Sequence, residues 1–412
     1  MTRKNCRIDG SELIEVMDLG EQYVSDFVDD PLDGEKSSLK VGIGKGSGLL
    51  QLFESFPPEK MYRRYWYRSG INESMVSELK GITASAKKFV ELKPGDTVLD
   101  VACNDGTLLS SWDKDLFRVG IDPAKNLKPF SEKHANAIVE DFFSSKNFFS
   151  QAKDRAKVLT SIAMFYDIED PNWFVREAEK VLHPEGIWII QMSYMPLMLE
   201  QNAFDNILAE HIEYYSFTVL NNLLNANGLR VVDVELNDVN SGSFRVYIAH
   251  AENKKFNLPT HALQIGDFRV KSLLEYEKSL RLLEPKPYLD FFDRVKKNKE
   301  KTMELLRDIH KKGKTVLGYG ASTKGNTLLQ FYGITPELIP AIAERTPEKW
   351  GKKTIGTGIP IISEEEARQR KPDYLFVFPW HFVDSFRKRE QKLLQSGTQM
   401  IVPLPYLEIY KD

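Results

Sequence analysis

The sequence predicts an α/β protein: a central doubly wound, Rossmann-like sheet, a small amino-terminal module, and a second Rossmann-like unit at the carboxy end. Three observations carry this. Thr97-Val-Leu-Asp-Val-Ala-Cys-Asn-Asp-Gly-Thr-Leu-Leu109 is an apolar, β-branched run that reaches Asp100 and turns through Asn104-Asp105-Gly106 into a helical pattern. About twenty residues on, Val119-Gly-Ile-Asp-Pro123 reads as a second buried strand ending in Asp122. The same grammar restarts after Gly313, where Lys314-Thr-Val-Leu-Gly-Tyr-Gly320 precedes a helix opened by Ala321-Ser-Thr-Lys-Gly-Asn-Thr-Leu-Leu329.

Composition bounds the class. At 412 residues the chain can hold two to three domains with real cores. A net charge of −3 supplies no global basic field, so no nucleic-acid partner is expected. The longest apolar runs are strand-sized, and Met1-Thr-Arg-Lys-Asn5 has no apolar signal region, so no membrane partner is expected. Two cysteines, Cys6 and Cys103, make no disulfide framework, and the expected setting is a cytoplasmic enzyme, monomer or homodimer.

Taken in order, residues 1–75 read as an irregular module with short strand-like pieces, Gly-rich turns and the aromatic cluster Tyr62-Arg-Arg-Tyr-Trp-Tyr67. Residues 76–254 carry the central sheet. Asn72 to Leu92 has helical spacing and leads into strands at Thr97–Ala102, Phe117–Ile121, Ala137–Val139, Val158–Ile162 and Gly186–Gln191. Phe204 to Tyr215 reads as loop plus a short helix, and Leu229–Leu236 and Phe244–Ala249 as closing antiparallel strands. Residues 255–312 are Lys-, Glu- and Leu-rich, a helical connector broken at Glu284-Pro-Lys-Pro287. In 313–412 the strands are Lys314–Gly320, Ile339–Glu344, Tyr374–Phe378 and Met400–Val402.

Site candidates follow from these positions. Two acids at strand ends in the right order, with a glycine in the first turn, suit a nucleoside-like cofactor. Without G-x-G-x-x-G, and with acids present, the turn suits a cation such as S-adenosylmethionine rather than a pyrophosphate. The candidate contacts are Asp100, Ala102, Asn104, Gly106, Thr107, Leu108 and Asp122, with Asp141 in Val139-Glu-Asp-Phe-Phe143 meeting the adenine. Glu210-His211, in Asn206-Ile-Leu-Ala-Glu-His-Ile-Glu-Tyr-Tyr-Ser216, is the best catalytic candidate: an imidazole beside a carboxylate can remove a proton next to a carbonyl. Tyr166-Asp167 follows the fourth strand and overhangs the ligand crevice. Asn240-Ser-Gly-Ser-Phe-Arg-Val-Tyr247 could offer Ser243 and Arg245 to a phosphate or sugar, although on the residues alone a tight hairpin turn is the better reading. In Gly318-Tyr-Gly-Ala-Ser-Thr-Lys-Gly-Asn326, backbone N–H groups and Lys324 suit an anion. One thiolate near the amino terminus cannot build a zinc site, so the residues alone predict no metal.

Taken together, the Asn-Asp-Gly-Thr-Leu-Leu turn, Glu210-His211 with Tyr214-Tyr-Ser216, the Gly-Ser-Phe-Arg turn and the Gly-Tyr-Gly-Ala block with Pro379-Trp380 resemble the sugar C-methyltransferases acting on nucleotide-linked 4-keto-6-deoxy sugars. The resemblance spans nearly the whole chain. It implies S-adenosylmethionine on the acids and the turn, and a nucleotide-linked keto sugar between the domains. It also implies that His211 removes the proton beside the ketone, with Glu210 as its partner or as an acid for the enolate, and with Tyr166 and Tyr67 in the catalytic group. Tyr65, Tyr215, Ser243, Arg245, Tyr319, Lys324 and Asn326 are the implied substrate contacts.

The chain departs from that family's pattern. The zinc module's four thiolate positions are Cys6, Asp9, Gly44 and Ser47 here, so zinc binding should be lost. Leu208 and Ala209 replace two polar groups, the family's His-x-Gly-Gly-Ser or Asn-Gly-Gly-Ser turn is Asn240-Ser-Gly-Ser243 here, and Gly358 stands where many members have His. An altered-substrate enzyme or a cofactor-binding pseudoenzyme is therefore the alternative expectation. A nicotinamide oxidoreductase using Gly318-Tyr-Gly320 and Glu344 ranks last, because Thr323 stands where a third glycine is needed.

Overall fold

A computed structural model describes residues 2–411. Its central sheet has seven strands, in the spatial order Leu229–Asn237, Ser243–His250, Leu182–Ser193, Ala156–Ile162, Thr97–Val101, Phe117–Ile121, Ala137–Val139. The last five of these run parallel, and Ser243–His250 inserts antiparallel. The strand order reverses between Thr97–Val101 and Ala156–Ile162, so the ligand crevice opens at the carboxyl ends of those two strands. All five side chains of Thr97–Val101 are buried, as a parallel strand covered on both faces requires. One cover is the helix Glu73–Phe89, whose Leu79, Ile82, Thr83, Ala86 and Phe89 share a buried stripe and whose amino end is capped by Asn72.

The carboxy-terminal sheet repeats the plan with six strands, ordered Ile361–Ser363, Ile342–Glu344, Val316–Tyr319, Tyr374–Val377, Gln399–Val402, Glu408–Tyr410. Only the last is antiparallel to its neighbour. The connector comprises two helices, Thr260–Ser279 and Lys286–Lys311. The second buries Tyr288, Phe291, Val295, Met303, Leu306 and Ile309 against the carboxy-terminal unit while its charges face solvent.

The amino-terminal region is not irregular. Leu13–Tyr23 and Lys36–Gly44 form a long antiparallel pair, extended by Leu50–Leu52 and then by Glu213–Tyr214 from far along the chain. Register shifts between Glu15 and Met17, and between Asp18 and Glu21, break the two-residue alternation, so the sequence hides the strand. Phe27–Val28 also pairs with Lys353–Thr354, which ties this module to the carboxy-terminal unit.

Cys6, Asp9, Gly44 and Ser47 converge at the far edge of this module. Cys6 Sγ lies 3.0 Å from Ser47 Oγ, and a Cβ on Gly44 would come within 2.9 Å of Cys6 Sγ. Burial pushes the Cys6 thiol up. The triple substitution Asp9→Cys, Gly44→Cys, Ser47→Cys should therefore take up one zinc ion, read by metal content and by thiolate-to-cobalt absorption. A folded triple variant that takes up no metal would contradict this placement.

Candidate active site

Backbone strain marks the crevice. Ala102 (φ 58°), Asn104 (φ 51°) and Gly106 (φ 79°) are all left-handed, on alternate residues after Thr97–Val101. Ala163 (φ 54°) follows the neighbouring strand. Such non-glycine conformations cost of order 1–3 kcal/mol each and cluster at functional sites. Gly106 is required: a Cβ there would lie 2.8 Å from the Ser131 Cα. Asp122 accepts from the N–H groups of Asn104 and Ala124, each at 2.8 Å, which leaves a lone pair on each oxygen. Asp100 accepts from Thr160 Oγ1 at 2.6 Å.

These two acids fit the expected cofactor. Burial, with Asp122 adding a smaller push, lifts Asp100 to about 7, and burial lifts Asp122 to about 6. No side-chain cation among the described residues pairs with either. A buried acid pair without a cation suits a positively charged nucleoside. Over this turn lies the segment 65–71. Asn104 accepts from Ser69 N–H and donates to the Tyr67 carbonyl, each at 3.0 Å, and Asp105 accepts from Gly70 N–H at 2.9 Å. Thr107 Oγ1 donates to Asp105 within the turn, and the Leu108 side chain is core. Asp141 is taken up by Arg63 at 3.1 Å and lies half-exposed at the rim.

The second cluster lies where the three units meet. His211 Nδ1 lies 3.0 Å from the Asn206 carbonyl oxygen. A carbonyl only accepts, so Nδ1 carries the hydrogen and Nε2 carries the lone pair. The imidazole's orienting partner is thus a backbone carbonyl, not the Glu210 carboxylate expected from sequence. Tyr166 lies against the ring, tilted by 59° with centroids 4.4 Å apart. Tyr62 donates its hydroxyl to the Glu210 carbonyl at 3.0 Å, and its ring lies 6.5 Å from that of Tyr65. The carboxy-terminal unit adds Lys324, His381 and Trp380, the last donating to Asp205 at 3.0 Å. Asn326 donates to the Asp26 carbonyl at 3.0 Å and so joins the outer units.

Electrostatics keep the imidazole of this cluster uncharged. Burial, helped by Lys324, pushes His211 down to about 3. Burial, with Asp26 adding to it, lifts Glu210 to about 7, and burial lifts Glu213 to about 8. His211 is therefore a neutral base across neutral pH, surrounded by carboxyls that favour their acid form.

Several sequence candidates stand elsewhere. Tyr67 is half-exposed over the nucleotide turn and does not join His211, whereas Tyr62, five residues earlier, does. Tyr215 is fully buried and donates to Glu213 at 2.8 Å, so it cannot line a substrate cleft. Ser243 Oγ donates to the Val239 carbonyl and closes the hairpin turn. Arg245 is buried in the sheet and paired with Glu78 at 2.5 Å, so its charge is not available to a phosphate. Tyr319 is buried in a network with Glu390 and Arg389 inside the carboxy-terminal unit. There Gly318, Gly320 and Gly325 are needed for packing: a Cβ on each would meet Phe378 or Pro379 within 3.0 Å. A separate cavity of about 460 Å³, with Lys153, Arg155, Lys157 and His183 on its walls, opens at the amino ends of the strands, away from both clusters.

Residues 75–234 match the family described as a methyltransferase domain, and residues 238–405 match the C-methyltransferase C-terminal domain. The C-methyltransferase NovU of Streptomyces niveus is 28% identical over 413 residues, covering 97% of this chain and 95% of that protein. Among solved structures, the Haloferax volcanii complex of the Trm112 methyltransferase activator aligns at 15% identity and a TM-score of 0.35, covering 44% of this chain and 94% of that one. The N-methyltransferase NodS of Bradyrhizobium japonicum aligns at 11% identity and 0.32, covering 43% and 96%.

Proposed function

Because the chain is an S-adenosylmethionine-dependent methyltransferase with a C-methyltransferase C-terminal domain, we propose that it forms a carbon–carbon bond beside the ketone of a nucleotide-linked keto-deoxy sugar. The observation that carries this reading is His211: Nδ1 fixed on a backbone carbonyl, Nε2 free, and the ring neutral by burial. Bound at Asp100 and Asp122, S-adenosylmethionine supplies an electrophilic methyl group. His211 Nε2 takes the proton from the carbon beside the ketone and leaves an enolate as the nucleophile. Lys324, at the amino end of Thr323–Tyr332, faces the cleft and suits the diphosphate of the sugar nucleotide. The physiological setting is deoxysugar synthesis in the cytoplasm. No helix among the described residues is long and apolar enough to cross a membrane.

The test is methyl transfer from labelled S-adenosylmethionine to a panel of nucleotide-linked 4-keto-6-deoxy sugars. Label in a new C-methyl group supports the proposal, and label in none of the panel contradicts it. A second reading is a protein that binds the cofactor without chemistry, favoured by the buried, apolar Leu208 and Ala209 beside Glu210. Normal cofactor affinity with no transfer would point to it.

The acid pair gives a pH prediction. Both aspartates titrate higher in the folded protein than near 3.9 in an unfolded chain. The free protein therefore loses stability as pH rises from about 4 through about 7. A bound cation favours the ionised pair. S-adenosylmethionine should bind more tightly as pH rises through that window and release protons at pH 6, which calorimetry in two buffers of different ionisation enthalpy reads directly. Equal affinity at both ends of the window would contradict the assignment of Asp100 and Asp122.

A further inference from the structure

The reaction just outlined leaves Asp167 without a task, although this residue sits in the turn Phe165–Asp167 directly after the strand Ala156–Ile162. Its position is held from two sides. Its own N–H donates to the Met164 carbonyl at 3.1 Å, and the Tyr166 carbonyl accepts from Ile212 N–H at 3.1 Å. The turn and the Glu210-His211 loop are thereby tied together. Its Oδ1 is buried with no hydrogen-bond partner among the described residues, while the Tyr62 hydroxyl faces the carboxyl. The groups around it are Glu210, Glu213, Tyr62, Tyr65, Tyr166 and Tyr214, and the cation of that cluster, Arg7, acts on Glu213 and Tyr214.

A carboxyl in that setting favours its protonated form. Burial lifts its titration well above the usual carboxylate range, and Glu210 and Glu213 push it further. A neutral carboxylic acid is an O–H donor, and a buried polar oxygen without a partner is costly until a ligand completes it. His211 adds the need for such a donor. An imidazole held at so low a pKa is a weak base, so the ketone must be polarised strongly for its neighbouring carbon to lose a proton.

We propose that Asp167 is a further catalytic residue of the keto-sugar reaction, its protonated carboxyl donating a hydrogen bond to the substrate's ketone oxygen and holding that oxygen as it becomes an enolate. The role rests on the keto-sugar reading above. As His211 Nε2 takes the proton, the C–H electron pair becomes the carbon–carbon double bond and the carbonyl pair moves onto oxygen, against the Asp167 O–H. When the enolate carbon takes the methyl group, the double-bond pair makes the new carbon–carbon bond, the methyl–sulfur bond would break with its pair left on the sulfur of the departing S-adenosylhomocysteine, an oxygen pair returns to restore the ketone, and Asp167 keeps its proton throughout. The donor strengthens only as charge develops, which places its effect in kcat.

The experiment uses the full chain and two variants, Asp167→Ala and Asp167→Asn. Infrared difference spectra of the S-adenosylhomocysteine complex at pH 7 should contain a protonated-carboxyl C=O stretch that Asp167→Asn removes. Turnover of the keto sugar by Asp167→Ala should fall about 10²-fold or more in kcat. Asp167→Asn, which keeps an N–H donor, should fall less, and KM for the sugar should move little in either. A purely structural role would instead lower cofactor affinity and melting temperature in both variants. Absence of the band, or a kcat for Asp167→Ala close to that of the unaltered chain, overturns the proposal. If the unaltered chain turns over no keto sugar, the parent reading fails first and takes the role of Asp167 with it.

Discussion

Replacing His211 with asparagine should lower kcat by about 10³-fold while leaving the Kd for S-adenosylmethionine within a few-fold of its starting value. The size is that of removing a positioned general base. The separation of the two effects follows from geometry. Of the two acids proposed for the cofactor, Asp100 lies in the first strand of the central sheet and Asp122 just after the second, whereas His211 is held by Asn206 on a loop after the fifth. Asparagine can still donate to the Asn206 carbonyl, so the loop should keep its course. Steady-state kinetics with calorimetric titration reads both quantities, and equal losses in turnover and cofactor affinity would make His211 a structural residue.

Asp122→Asn should act the other way, with the cofactor Kd rising about 10²-fold and kcat at saturating cofactor changing little. The Asp122 oxygens each accept a backbone N–H at 2.8 Å, and their remaining lone pairs are the expected seats of the ribose hydroxyls. An amide turns one acceptor into a donor that opposes the N–H of Asn104 or Ala124, and it removes the charge. Losing hydrogen bonds to a charged group costs about 1.5–3 kcal/mol each, and about 1.4 kcal/mol is tenfold in affinity. Urea unfolding separates this from loss of fold. An unchanged Kd in a folded variant would show that the cofactor does not use the second strand's acid.

The sequence makes the sheets legible because their signals are local. A buried apolar run that ends in an acid and a turn is visible within ten residues, and Phe117–Ile121 and Ala137–Val139 have the expected bounds. Thr97–Val101 stops one residue short of its expected end because Ala102 turns left-handed. The amino-terminal strand Leu13–Tyr23 was hidden by two register shifts, and its sheet is completed by Glu213–Tyr214, which no local pattern could link to it.

The candidate site was legible where a local pattern marks it, at Asp100 and Asp122 by their strands and at His211 by its neighbouring carboxylate. It was not legible where side chains meet across the chain. Tyr62 reaches Glu210 over 148 positions, and Trp380 reaches Asp205 over 175. Arg245 resembled a free anion ligand until Glu78, 167 positions upstream, neutralised it. Tyr67 and Tyr62 belong to one aromatic cluster in the sequence. The turn at Ser69–Ile71 and its bonds to Asn104 and Asp105 decide which of them faces the cofactor and which the catalytic loop.

The central claim is that His211 makes an enolate, and solvent exchange tests it without needing methyl transfer. The full chain, saturated with S-adenosylhomocysteine, is incubated in D2O with a nucleotide-linked 4-keto-6-deoxy sugar, and deuterium at the carbon beside the ketone is followed by NMR. The account predicts exchange well above the enzyme-free rate, abolished by His211→Asn. Exchange at the enzyme-free rate in a protein that still binds the cofactor, or exchange that survives His211→Asn, would contradict it.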